Sequence, residues 1–290
     1  MKKIVKPLIT CFYLFLSVSV LFASEIEKKS LLWKISGNGL QEDSYLFGTI
    51  HIICEDQFLM NEKIESALDS SKLLVLEFDM TDQEQMGQLQ QLSMNPNFEN
   101  IKGQFEEAQA AALDEFLKEN YGAGLDQLGI LKPFVLSSMV LMKSLPCDNQ
   151  ISYENHFIEK SKTLDLKVDG LETAKSQMEI FDKIPMKLQI DELGKMMLEE
   201  DRGMDEFKEL VEAYLSEDID TLYDLITKSE LFSEYGNLLL EDRNRAWIPR
   251  IEQLIKENTA FIAVGSGHLG SDTGVIQLLR DAGYTVKAVD

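Results

Sequence analysis

The chain has 290 residues, with 28 lysines and arginines against 50 aspartates and glutamates, and a formal net charge of −22. Such an acidic surface repels nucleic acid and anionic lipid headgroups, which excludes phosphate-backbone binding as a function class. At 44% hydrophobic residues the chain is long enough for one large core.

Residues 1–23 read as a secretory signal: basic "MKKIVK", apolar "PLITCFYLFLSVSVLFA", and cleavage at Ala23-Ser24. The apolar core is short for a spanning helix. The expected mature chain, 24–290, therefore carries no stable membrane span and is periplasmic or secreted. Cys11 leaves with the signal. Cys54 and Cys147 remain, and an even pair in an exported protein suggests a disulfide.

"LLWKISG" and "SYLFGTIHI" read as a hairpin through "NGLQED". In "NEKIESALDSS", Ile64, Ala67 and Leu68 share one helical face. "KLLVLEFDM" is a buried strand with Glu77 at its C-terminal side, completing a strand–helix–strand unit of βαβ size. Residues from about 81 to 255 are mostly helical. "FEEAQAAALDEFLKENYG", "KPFVLSSMVLMKSL" and "ISYENHFIEKSKTL" carry helical spacing, and "LKVDGLE" is a short strand. "MDEFKELVEAYLSEDIDTLYDLITKSELF" reads as packed amphipathic helices. "TAFIAVGSGHL", "SDTGVIQLLRDAG" and "YTVKAVD" are strand, helix and strand, with Ser271 or Asp272 capping the helix and Gly283 ending it. The expected fold class is α/β: a central sheet with duplicated strand–Gly-x-x-His–helix units and a large helical middle section, in one domain.

The chain has three histidines, and two of them, His51 and His268, follow strands in the same frame, Gly48-x-x-His51 and Gly265-x-x-His268. "GSGHLG" also fits the dinucleotide pattern G-x-G-x-x-G, but that pattern belongs to the first βαβ unit with strands to follow. Here only one strand follows, and "GTIH" keeps the histidine without the extra glycines. Neutral imidazole is both a metal ligand and a base near neutral pH. Glu77 ends a strand of apolar residues, where a carboxylate is costly to bury unless it binds something. His51, His268 and Glu77 together would make a His₂-carboxylate metal set with a position open for water.

These residues resemble the TraB/GumN proteins, relatives of the Tiki metalloproteases. The resemblance begins at "LLWKISG" and runs through "YLFGTIHI", "LLVLEFD", "SYENHF", "GLETAKSQ" and "EDRNRAW" to "AVGSGHLGSDTGVIQLLRDAGYTVKAV". It implies an exported or membrane-facing α/β protein of duplicated architecture. It also implies a divalent-metal site taking Mn²⁺ or Co²⁺ rather than tight zinc, and peptide hydrolysis in at least the Tiki branch. By position, His51, His268 and Glu77 match the motif residues, and Glu154, Glu172 and Arg245 match other recurrent polar positions.

Weighed on chemistry, Arg245 is either a clamp for a substrate carboxylate or oxyanion, or one half of a surface ion pair. Glu154 is a metal ligand, a general base, or a solvated or capping acid. Glu172, between strand and helix, is a site acid or a stabiliser of the helix N-terminus. His156 lies two residues after Glu154, off its helical face, and reads as a packing or surface histidine. A Cys54–Cys147 bridge would tie the first histidine loop to the "SYE" segment. The expected function is a metal-dependent hydrolase acting on a peptide. The alternative is a non-catalytic binding protein that sequesters a peptide or small ligand in the same cleft.

Overall fold

The structure, a computed structural model, describes residues 29–290, and the side chains of residues 200–202 are outside that description. The signal-peptide reading falls on residues outside it. No helix among the described residues is long and apolar enough to cross a membrane.

The centre is a mixed six-stranded sheet. Its strands are β1 (Leu32–Ser36), β2 (Ser44–Thr49), β4 (Leu73–Leu76), β6 (Lys167–Gly170), β7 (Ala260–Gly265) and β8 (Thr285–Ala288), in the order β6-β4-β7-β2-β1-β8. The pairs β6–β4, β4–β7 and β7–β2 are parallel, while β1 runs antiparallel to both β2 and β8. β3 (Ile52–Cys54) and β5 (Gln150–Ser152) form a separate antiparallel ribbon.

Burial follows from composition. Every residue of β4 and β7 is buried, as expected of parallel strands covered on both faces. One face packs on the helix Asp242–Glu257 through Trp247, Ile251, Leu254 and Ile255. The other packs on the helix Tyr153–Leu164 through Tyr153, Phe157 and Ile158. The middle helices build a further core around Leu113, Leu117, Leu136, Ile190 and Leu193.

The hairpin, the helix face Ile64, Ala67 and Leu68, and the closing strand match expectation. Three details differ. β2 and β4 are not neighbours, because β7 from the far end of the chain is laid between them. In the middle section the expected strand in "LKVDGLE" forms as β6 and joins the main sheet, but the strand Gln150–Ser152 takes the start of "ISYENHFIEKSKTL", where the periodicity predicts helix. The last helix, Val275–Asp281, has Gly274 at its N-cap rather than Ser271 or Asp272. In the histidine frames the glycines supply space: Gly265 has φ −53°, and it is His51 that takes a left-handed φ of +52°.

Candidate functional site

Four parallel strands, adjacent in space, each deliver one polar residue just past their C-terminal ends. Glu172 follows β6, Glu77 follows β4, His268 follows β7 and His51 follows β2. Ligands of open α/β sheets gather at these ends. The parallel ladder continues past β4 and β6, since Leu171 N–H donates to the Leu76 carbonyl and Glu172 N–H to the Glu77 carbonyl. That extension sets two carboxylates side by side.

Two buried acids need a cation, and it is Arg243, from the first turn of the helix Asp242–Glu257. Its Nη2 donates to Glu77 Oε2 at 2.6 Å and to Glu172 Oε1 at 2.5 Å, and its Nε donates to Glu172 Oε1 at 3.1 Å. Its Nη1 reaches the Leu239 carbonyl and His268 Nε2, both at 3.1 Å. The guanidinium also lies 4.9 Å from the Trp247 ring centroid. Glu77 takes two further donors, Gln177 Nε2 on Oε2 at 2.8 Å and the Gly265 N–H on Oε1 at 2.9 Å.

The two motif histidines sit differently. The His268 side chain is 5% exposed, with Nδ1 2.6 Å from Asn244 Oδ1 and Nε2 3.9 Å from Glu77 Oε1. The His51 side chain is 61% exposed, on the rim, with Nδ1 2.8 Å from Glu154 Oε1. Glu154 also accepts from Thr49 Oγ1 at 2.9 Å and Ser152 Oγ at 3.2 Å. It lies in the first turn of its helix, where the macrodipole favours a carboxylate.

The surroundings push the acidities apart. Desolvation by the protein around the cleft works against a charged His51, but Glu154, by charge and hydrogen bond, and Glu77 outweigh it and push its pKa up to about 9. Burial pushes His268 down to about 3, with Arg243 adding to the effect and Glu77 opposing it. Burial alone would raise Glu77, but Arg243 first, then the histidines, hold its carboxyl well below the usual carboxylate range. Burial raises Glu172 despite Arg243. Burial also opposes ionisation of Glu154, yet His51 and Thr49 keep its pKa lowered.

The expected residues His51, His268, Glu77, Glu154 and Glu172 therefore come together, with Gly48 and Gly265 beneath the loops. Arg245 does not join them. It is half exposed and pairs with Glu241 and Asp242 on its own helix, and Arg243 occupies the position expected of it. Sequence reading also missed Asn244 and Gln177. A signal for the first was present: Trp247, Ile251 and Leu254 define the buried helix face, and Arg243 and Asn244 lie four and three residues before Trp247. His156 packs against Phe58, 4.8 Å between ring centroids. Cys54 and Cys147 are bridged.

A divalent cation held by His51, His268 and Glu77 needs three lone pairs aimed at one point. In this arrangement Arg243 covers His268 Nε2 and shares Glu77 Oε2 with Gln177. Among the described residues no group of three or more His, Cys, Asp or Glu is placed to hold a metal ion. The residues as they stand do not fit a metal, and a cation bound there would require Arg243 to withdraw.

An α/β sheet with paired Gly-x-x-His loops meeting a strand-end glutamate defines the class. The chain belongs to the TraB/PrgY/gumN family, whose model matches residues 31–288. No curated protein and no solved structure matches it.

Proposed function

We propose that this protein is an exported hydrolase that cleaves a peptide bond in the cleft between His51 and Glu77. The hydrogen-bond inventory carries the reading. A guanidinium has five N–H donors, and those of Arg243 are spent on Glu77, Glu172, Leu239 and His268. Arg243 is thus a fixed countercharge and has no donor left for a substrate oxyanion. Oε1 of Glu77 keeps one acceptor position beside its bond from Gly265. The same side of the cleft holds Nε2 of the half-open His51.

Groups whose acidities are pushed in opposite directions divide the work of acid and base. Glu77, kept ionised by Arg243, orients a water molecule and accepts its proton as the oxygen attacks the carbonyl carbon. His51, charged at neutral pH, hydrogen-bonds the developing oxyanion. It then passes its Nε2 proton to the leaving nitrogen as the C–N bond breaks. The proton on Glu77 returns to His51, and Glu154 holds Nδ1–H throughout. The Cys54–Cys147 bridge supports export, since such bonds persist in oxidising compartments.

The test is a peptide-library cleavage assay on the purified mature chain, with and without added Mn²⁺ or Co²⁺. Wild type should cleave, and His51→Gln and Glu77→Gln should each lose about 10²–10⁴-fold. A library bound but left intact by wild type would replace this reading with that of a binding protein.

A further inference from the structure

We infer that Asn244 is a positioning residue that locks His268 in its Nδ1–H form, so that the two matched histidines do different work. The side chain of Asn244 is buried. Its Nδ2 donates to the Thr273 carbonyl at 2.9 Å, which fixes the amide orientation and turns Oδ1 toward the ring. An amide oxygen only accepts, so the 2.6 Å contact places a hydrogen on Nδ1 of His268. At the other end a guanidinium only donates, so the 3.1 Å contact with Arg243 Nη1 requires a bare Nε2. Both neighbours select the same tautomer. The reverse form would set two lone pairs against each other at Asn244 and two hydrogens against each other at Arg243. The Trp247 ring, 4.4 Å away between centroids, packs against the imidazole.

His268 is then a fixed acceptor that draws one Nη1–H to itself and leaves Nη2 of Arg243 for Glu77 and Glu172. At the matching place beside His51 the acceptor is a carboxylate, Glu154, which favours a charged ring. A neutral amide against one histidine and a carboxylate against the other assigns proton transfer to His51 and aiming of Arg243 to His268. This assignment deepens the hydrolase reading and rests on it for the role of Glu77.

The test is a ¹⁵N-histidine correlation spectrum of the full mature chain without substrate, with His268 assigned by comparison with His268→Gln. Wild type should show a pyrrole-type Nδ1 and a pyridine-type Nε2. Asn244→Leu removes the acceptor of the Nδ1–H, so the Nδ1 and Hδ1 resonances should shift and that proton should exchange faster with solvent, while Arg243 still keeps Nε2 bare. A protonated Nε2 in wild type, or an unchanged spectrum in Asn244→Leu, would overturn the inference. The wild-type spectrum decides even where the leucine variant does not fold. It contains no substrate, so a failed peptide assay leaves it intact and the two failures stay separate.

Discussion

Gly265 leaves the room that His51 fills. A Cβ built at Gly265 would lie 3.1 Å from Nε2 of His51 and 3.4 Å from Oε1 of Glu77, so the missing methyl keeps the proposed acid and base together. The φ of −53° suits any residue, so Gly265→Ala should fold with stability within about 1 kcal/mol of wild type. The half-open His51 ring would yield by a few tenths of an ångström, and peptide cleavage should fall by up to about 10²-fold. Gly48 behaves oppositely. Its Cβ would meet Leu269 Cδ1 at 2.6 Å and the Ser266 backbone at 3.2 Å. Gly48→Ala should therefore cost about 1–3 kcal/mol in urea unfolding, as overpacking does.

Acid should unfold the protein through this site. The His268 pKa is depressed to about 3, while an unfolded histidine titrates near about 6.5. Between those values the unfolded chain binds a proton that the folded site refuses, so stability falls as pH drops through that window. Glu77, also depressed, contributes stability above the ordinary carboxylate range and loses it as pH falls. His51 has the opposite sign. Its stabilising pair with Glu154 is complete below the unfolded pKa and is lost as pH rises through about 9. With the His51 ring so open to solvent, that alkaline loss should be small. Urea midpoints at pH 4, 7 and 9.5 would check the shape, and His268→Gln should flatten the acid limb.

The elements and the two histidine loops were legible because period-2 and period-3.6 patterns are local. The Gly-x-x-His repeat pointed to His51 and His268 because histidine is scarce in this chain. What sequence could not supply was neighbourhood. β7 enters between β4 and β2 from nearly 200 residues downstream, and only that insertion makes the two histidine loops adjacent. The choice between Arg243 and Arg245 turned on which helix face meets the sheet, and a motif match carries no such angle. Trp247 carried it, because its burial places Arg243 on the inner face and Arg245 outside.

That difference predicts contrasting arginine variants. Arg245 is half exposed in a helical ion pair, so Arg245→Ala should shift stability by no more than about 0.5 kcal/mol. Arg243→Ala strands Glu77 and Glu172 without a countercharge and should cost about 3–5 kcal/mol. It also frees Nε2 of His268 and Oε2 of Glu77 for another cation. Added Co²⁺ should therefore raise the Tm of Arg243→Ala by several degrees more than that of wild type. Equal shifts in both proteins would mean that Arg243 does not guard these donors.

The Cys54–Cys147 bridge holds the pairing of His51 with Glu154. β3 and β5 pair Cys54 with Gln150 and Ile52 with Ser152, and the Tyr153 N–H donates to the His51 carbonyl at 3.0 Å. The ribbon thus carries the disulfide at one end and the His51–Glu154 pair at the other. Its two cysteines are 93 residues apart, and closing so long a loop stabilises by about 2–5 kcal/mol. The double variant Cys54→Ser/Cys147→Ser should lose that much in urea unfolding. With the ribbon loosened, Glu154 should hold His51 less well, and the His51 pKa followed by NMR should drop from about 9 toward its ordinary value. Hydrogen exchange at Tyr153 should quicken, while the amides of β4 and β7 at the sheet centre stay protected. A double variant with the wild-type His51 titration would mean that the dyad stands without the bridge.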